Sequence, residues 1–382
     1  MIIGSKNKGD WSELYVLLYL LGRRKLYTAD EQLNRMNAFC FPIKKIMRND
    51  TPTNKVDFIL DDINRVEIYV NSELSREMTS QEFIDEASVL YNDILSGKGS
   101  FDIPHAEQFL NEIQLERLAA PSTDITDITM ELHDTNTGID QIMGFSIKSY
   151  IGGAPTLLNA SGATNFVYEI IGLNDVQMNE INSIKTRTKI MDRIRAISDN
   201  DGTMHYCKTA NDVFSGNLMM IDSRMEEMLA ELLLYSYSNN ELDCKNIIEH
   251  LENVNPLGYP RNGLYTHKFK QFLCAKALGM EPGTEWSGED DANGGYIVAK
   301  SDGEVLAYHL YNRDKFKQYL FENTKMERGS TSKHNYASIY KENDKMYLSK
   351  TIINRRSDPD TVAGKSLRFF CHVLQVAGSL RL

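Results

Sequence analysis

Thr126-Asp127-Ile128-Thr129-Met130-Glu131-Leu132-His133 and, about twenty residues on from Asp127, Gly144-Phe145-Ser146-Ile147-Lys148-Ser149 are the two runs that decide how this chain reads. The first is rich in β-branched residues and alternates roughly apolar with polar, as a strand with one buried face does. Thr135-Asn136-Thr137-Gly138 supplies turn chemistry, and the run 143–150 returns as a partner strand. A carboxylate at the start of one strand thereby faces an ammonium near the end of the next. Ser146 and Lys148 share a face, because side chains on a strand repeat every second residue.

This arrangement suits metal-dependent phosphodiester hydrolysis. That reaction is so slow uncatalysed that roughly 20 kcal/mol of barrier must be removed, which no single side chain achieves. A hard divalent cation contributes much of it, and magnesium is held by one or two carboxylates with water and phosphate oxygens. Asp127 and the backbone carbonyl of Ile147 are the expected metal ligands. Lys148 is expected to orient or help deprotonate the attacking water and to offset charge in the transition state. Ser146 stands where a second carboxylate would ordinarily be a ligand, so another residue must complete the site. The bare pattern also fits a surface hairpin that happens to carry one Asp and one Lys.

Longer blocks extend the case. Asn7-Lys8-Gly9-Asp10-Trp11-Ser12-Glu13-Leu14-Tyr15, Lys148-Ser149-Tyr150-Ile151-Gly152-Gly153-Ala154-Pro155 and Asn255-Pro256-Leu257 resemble the HpaII family of type II restriction endonucleases. So do Asp291-Ala292-Asn293-Gly294-Gly295-Tyr296 and Ser330-Thr331-Ser332-Lys333-His334, and the resemblance runs through nearly all of residues 5–355. It implies a mixed α/β fold of the PD-(D/E)XK type, a mixed β-sheet flanked by helices and elaborated by a helical and β-hairpin C-terminal region. It also implies Mg2+ dependence and double-strand cleavage of DNA at a short palindrome, with a CCGG-like target suggested by the family's name-giving member. Asp127 takes the place of the motif's aspartate and Lys148 that of its lysine. The missing acid at Ser146 would come from elsewhere: Glu13 on the first helix is preferred, and Glu169, expected on a helix after the hairpin, is the alternative.

The expected organisation is a catalytic core over 1–172, a recognition region over 173–355 and an unassigned tail over 356–382. Helices are expected at 10–22, started by Asp10 or Ser12 and stopped by Gly22, and at 82–95, 105–118, 175–199, 219–235, 241–251, 269–278 and 314–322. Strand pairs are expected at 56–60 with 65–70, and at 296–299 with 304–311 around Ser301-Asp302-Gly303. The Met and Leu stripes of 219–235 read as core. The basic residues of 175–199, among them Arg193, read as a solvated face or as phosphate contacts.

Asn159, Ser161 and Asn165, within a polar cluster following the second catalytic strand, are candidate DNA contacts, though such residues also cap helices. Lys333 and His334 are candidates for a groove or phosphate contact. The formal net charge of -11 does not exclude DNA binding, which depends on a local basic surface. The five cysteines show no CxxC pair, which argues against a zinc site or disulfide framework. No signal or membrane-spanning pattern is evident, so a cytoplasmic protein is expected. The partners expected are duplex DNA, a cognate DNA methyltransferase acting on the same site without direct contact, and a second copy in a homodimer, with a monomer that nicks the strands in turn as the alternative. A DNA-binding protein with a silent nuclease site and a structure-specific repair nuclease are the competing classes.

Overall fold

The computed structural model describes residues 6–30, 33–61, 63–119, 126–151, 157, 164–309, 313–326 and 338–349. Along the chain come β1 (Lys6–Asn7), α1 (Lys8–Arg23), β2 (Lys25–Ala29), β3 (Arg35–Thr51), β4 (Asn54–Leu60), β5 (Arg65–Val70) and β6 (Glu73–Thr79). There follow α2 (Ser80–Ser96), β7 (Ser100–Phe101), α3 (Pro104–Glu112), β8 (Ile128–Asp134), β9 (Ile139–Ser149) and β10 (Phe166–Ile171). Next are α4 (Asp175–Ser183), α5 (Lys189–Asp199), β11 (Thr203–Thr209), α6 (Asp212–Ile221), α7 (Met225–Asn239), α8 (Cys244–Val254) and α9 (Leu264–Leu278). The last are β12 (Gly295–Ala299), β13 (Val305–His309), α10 (Arg313–Glu322), β14 (Ile339–Glu342) and β15 (Lys345–Ser349). The architecture is mixed α/β and falls into two units, one of residues up to 155 with 290–316, the other of 156–289 with 317–349.

In the first unit the strands form a sheet of order β2-β13-β12-β9-β8-β3-β4-β5-β6, and β2 also pairs with β3. The path β2–β13–β12–β9–β8–β3 therefore closes on itself. Strand β3 makes closure possible by serving two neighbourhoods: residues 35–42 pair with β2, while 43–51 lie between β8 and β4. Pro42, which has no N–H to give a ladder, marks the change of partner. Next to it, Ile43 donates its N–H to Arg24 O at 2.9 Å. Strand β9 pairs antiparallel with β8 and parallel with β12, which accounts for the return of 290–316 to this unit.

Helix α1 is capped as its sequence dictates, but three residues earlier than Asp10. Asn7 Oδ1 accepts from the N–H groups of Gly9 (2.7 Å) and Asp10 (3.1 Å), and the Asp10 carboxylate accepts from Asn7 N–H. Ser12, the other expected start, is buried and donates to Lys8 O at 2.6 Å. Gly22 does not end the helix either. A Cβ there would lie 2.6 Å from Ile84 Cγ1, so the glycine serves close approach of α2, and the stop is Arg24 at φ 61°. Trp11, Leu14, Val16, Leu17, Leu18, Leu20 and Leu21 are all buried in one core with Ile46, Phe58, Met130 and Phe145. Each such side chain contributes roughly 1.5–3 kcal/mol by leaving water.

The 135–138 turn and the 301–303 turn form as expected, with Gly138 (φ 70°) and Gly303 (φ 86°) in the left-handed region. Elsewhere the expectations need correction. The helix expected over 105–118 ends at Glu112, with Gln114 left-handed at φ 65°. The 175–199 stretch is two helices, α4 and α5, and 219–235 belongs to α6 and α7 with a break at 222–224. Met219 and Met220 are 58% and 59% exposed, whereas Met225 and Met228 are core, so the methionine stripe is only partly interior. The segment 166–171 is a strand, not a helix.

In the second unit β11-β10-β15-β14 form an antiparallel sheet. Arg193, considered for phosphate contact, is 2% exposed and donates to Asn182 O and Ile184 O, so it clamps the α4–α5 connection instead. Cys40, Cys207, Cys244 and Cys274 are free, and Cys371 lies outside the described residues. Among the described residues no helix is long and apolar enough to cross a membrane.

Candidate active site

Asp127 sits one residue before β8, where its N–H donates to Phe145 O at 2.9 Å and extends the hairpin ladder. Its carboxylate oxygen Oδ2 accepts from Ile147 N–H at 2.5 Å and from Ser146 Oγ at 3.1 Å. Lys148 Nζ in turn donates to Ser146 Oγ at 2.9 Å. The serine hydroxyl, 3% exposed, therefore links carboxylate and ammonium: it gives its proton to one and a lone pair to the other. Both bonds to Asp127 go to Oδ2, leaving Oδ1 as the oxygen a cation would take.

Neighbouring elements fix this chain of groups. In the parallel β9–β12 register Ser146 faces Tyr296, and Lys148 Nζ lies 5.2 Å from the centre of the Tyr296 ring. That ring is buried and meets Phe316 edge-on at 5.2 Å. Two positions before Ser146, Gly144 lets the 291–294 segment sit on the hairpin. Its N–H donates to Asn293 Oδ1 at 2.8 Å and its carbonyl accepts from Gly294 N–H at 2.7 Å. A Cβ at 144 would meet Thr126 Cγ2 at 2.8 Å and Asp291 O at 2.9 Å.

Burial pushes the Asp127 carboxyl above the usual carboxylate range, against the opposing influence of Lys148, the Ile147 N–H, the Ser146 hydroxyl and Arg48. Arg48, on β3, is buried; that desolvation works against its charge, which Glu13, Asp50 and Asp127 support. Glu13 projects from α1, half-buried, into the same field. The structure thus brings Asp127, Ser146 and Lys148 together through hydrogen bonds, and the charges of Glu13 and Asp127 both favour that of Arg48.

For a divalent ion the donors are of the right kind. Magnesium takes hard oxygens, one or two carboxylates being enough when water and phosphate fill the remainder, and Asp127 with Glu13 fit that description. No group of three or more Asp, Glu, His or Cys side chains able to hold a metal occurs among the described residues. Ile147, whose backbone carbonyl is expected as a ligand, donates its N–H to Asp127 Oδ2 at 2.5 Å. Glu169, the alternative acid, lies on strand β10 and is paired with Lys345 Nζ at 2.9 Å. His133, on β8, meets Asp140 Oδ1 at 2.7 Å.

Residues 7–352 match the family model described as HpaII restriction endonuclease. The chain belongs to the HpaII restriction endonuclease family. It is 37% identical over 353 residues to the type II restriction enzyme HpaII of Haemophilus parainfluenzae, covering 91% of this chain and 97% of that protein. No solved structure matches. As an HpaII-family member it is a site-specific deoxyribonuclease, and DNA is its substrate.

The candidate DNA contacts of this HpaII-family chain fall unevenly on the structure. Asn159, Ser161, Lys333 and His334 lie outside the described residues. Asn165 is fully buried beside the start of β10, its carbonyl accepting from Ala210 N–H at 2.8 Å, a setting that favours holding the strand over touching a base. Sequence reasoning missed Arg48, Asp50, Asn293 and Tyr296. A signal existed for the first two: Ile46, Arg48 and Asp50 alternate on one face of a strand, so two charges occupy apolar register.

Proposed function

We propose that this restriction endonuclease cuts both strands of duplex DNA at a short palindrome, CCGG-like, with Mg2+ as cofactor, on a PD-(D/E)XK-type core. The hydrogen-bonded chain from Asp127 through Ser146 to Lys148 carries the reading. Asp127 and Glu13 are the side chains that would hold the ion. When bound, Mg2+ would polarise the scissile phosphate and acidify a water. Lys148, kept in place by Ser146 and the Tyr296 ring, presents its ammonium to the attacking water and offsets charge gathering on the phosphate oxygens. Ser146 is a positioning residue that fixes the lysine relative to the carboxylate. The antiparallel β8–β9 pair and the seated 291–294 segment hold these groups rigidly, as catalysis through orientation requires.

Base reading belongs to the segments 156–166 and 325–340, with Asn159, Ser161, Lys333 and His334 as the contacts. A palindromic target fits a homodimer whose two-fold axis coincides with that of the DNA, each protomer cutting one strand. A cognate methyltransferase that protects the same sequence in the host follows from the same reading, as does action in the cytoplasm.

The test is digestion of a long unmethylated DNA of known sequence with magnesium, calcium or EDTA, followed by sequencing of the fragment ends. Discrete ends that appear with magnesium alone, and that vanish for Asp127→Ala and Lys148→Ala, are expected. Either variant cutting at the wild-type rate would remove the mechanism. Intact DNA bearing a specific footprint in calcium would mark a nuclease site silenced at Ser146.

A further inference from the structure

The segment Asp291-Ala292-Asn293-Gly294 lies against the catalytic hairpin at a point where both chains are stripped of side chains. Gly144 has none on the face that Ser146 and Lys148 share, and a Cβ there would lie 2.9 Å from Asp291 O. A Cβ at Gly294 would lie 2.5 Å from Phe145 Cζ. Three hydrogen bonds hold the segment down: Thr126 Oγ1 to Asp291 O at 2.9 Å, Gly294 N–H to Gly144 O at 2.7 Å and Gly144 N–H to Asn293 Oδ1 at 2.8 Å. The last of these fixes a carboxamide. A backbone N–H can only donate, so the atom it meets is the amide oxygen. Asn293 Nδ2, on an exposed side chain, is left with both its hydrogens and no partner among the described residues. A cation stands close by in sequence, for Arg313 is about half-exposed and pairs with Asp290 Oδ2 at 2.6 Å.

Resting on the reading of the hairpin as the cutting site, we propose that Asn293 is a DNA contact whose Nδ2 donates to a backbone phosphate beside the scissile one. Reading adenine at two points needs the amide oxygen as well as the nitrogen, and here Gly144 has taken the oxygen. What remains is a donor of fixed direction, suited to the phosphate oxygens that every nucleotide carries. Its anchor residue, Gly144, stands two residues before Ser146, about 7 Å along β9. Because the Gly144 N–H already sets the carboxamide, little side-chain freedom is lost on binding. The contact ties the duplex to the strand that carries Ser146 and Lys148, and so registers the scissile phosphate against the catalytic groups.

The experiment is DNA binding by the full chain in Ca2+, with a short duplex carrying the sequence that digestion identifies. Asn293→Asp keeps an oxygen for the Gly144 N–H but loses both donor hydrogens, so it separates anchoring from contact. It is expected to melt as the wild type does and to bind about tenfold or more weakly, by the same factor on the cognate duplex and on one with a single base pair changed. Binding within about twofold of wild type overturns the proposal, and a loss confined to the cognate duplex overturns the phosphate assignment in favour of a base. Asn293→Ala, which adds no charge, is read by ethylation interference. One phosphate neighbouring the cut should cease to interfere while the others remain, a change that a merely structural role would not confine to one position. An unchanged pattern overturns the proposal, and this reading decides alone should Asn293→Asp fail to fold. Lys148→Ala separates the two levels of argument: wild-type cutting by that variant removes the hairpin site and this inference with it, whereas an inactive Lys148→Ala beside a normally binding Asn293→Asp removes this inference only.

Discussion

Removing the Ser146 hydroxyl is the sharpest perturbation of the proposed mechanism. Ser146→Ala deletes the acceptor for Lys148 Nζ at 2.9 Å and the donor to Asp127 Oδ2 at 3.1 Å, at a position only 3% exposed, where water cannot readily replace either. A hydrogen bond to a charged group contributes about 1.5–3 kcal/mol. Lost from the transition state alone, that is roughly a 10- to 150-fold fall in rate. Single-turnover cleavage with saturating enzyme is the assay, beside DNA binding in Ca2+ as a control that should not move. The acidic limb of the pH–rate profile should also shift. The hydroxyl favours ionised Asp127, whose carboxyl burial already holds high, so its removal raises that carboxyl further and moves the limb to higher pH. Cleavage within about twofold of wild type, with an unmoved acidic limb, would refute the linking role. A matching loss of DNA binding would show that the hydroxyl supports the fold instead.

Three further outcomes follow. Because the buried Asp127 carboxyl is held above its ordinary range, the stability it contributes is complete below the unfolded-state value and is lost as pH rises through the higher folded value; Asp127→Asn should therefore raise Tm in EDTA at about pH 8, by an amount that shrinks toward about pH 4, and an unchanged or lower Tm at the higher pH counts against it. His105 is hydrogen-bonded between Glu86 Oε1 (2.7 Å) and Asp93 Oδ2 (2.6 Å), and although partial burial pulls its pKa down, those two partners raise it above the ordinary value; the Tm advantage of wild type over His105→Gln should be full below the unfolded-state value and fade as pH rises through the higher folded one, measured by calorimetry across a pH series. Gly144→Ala places a Cβ within 3.0 Å of Thr126 and Asp291 O and should cost about 1–3 kcal/mol in urea unfolding, with slower cleavage as the 291–294 segment lifts from the hairpin.

The catalytic hairpin was legible because everything that defines it is local: alternation in β8, a turn ending in Gly138, and a partner run whose side-chain parity puts Ser146 and Lys148 on one face. The first helix was legible for the same reason, although the capping box at Asn7 was read too late and Gly22 was mistaken for a stop when its absent Cβ serves Ile84. The parallel pairing of β9 with β12 left no such trace, since nothing local in 295–299 names its partner. With it went the roles of Tyr296 and Asn293. Strand β3 was missed because Pro42 interrupts it and two charges break its apolar face. The polar cluster at 159–165 drew the expectation of a helix onto Phe166-Val167-Tyr168-Glu169-Ile170-Ile171, a run of aromatic and β-branched residues whose own preference is for a strand. That error is what made Glu169 look available to the site.

A serine at position 146 is better matched to these surroundings than a carboxylate would be. An ionised acid can accept a hydrogen bond from Lys148 but cannot donate one to Asp127, because it carries no proton. It would instead add a like charge beside a carboxyl that burial already presses toward its neutral form. The buried charge of Arg48 is already favoured by Glu13, Asp50 and Asp127, so a fourth carboxylate would have to share it. Drawing the second acid from α1 keeps it half-buried, where water still screens it, and leaves the interior position to a neutral group that can donate and accept at once. On the proposed reading the serine and the helical glutamate are one solution: with Glu13 supplying the second acid from α1, position 146 is left to a neutral group, and its hydroxyl accepts from Lys148 while donating to Asp127.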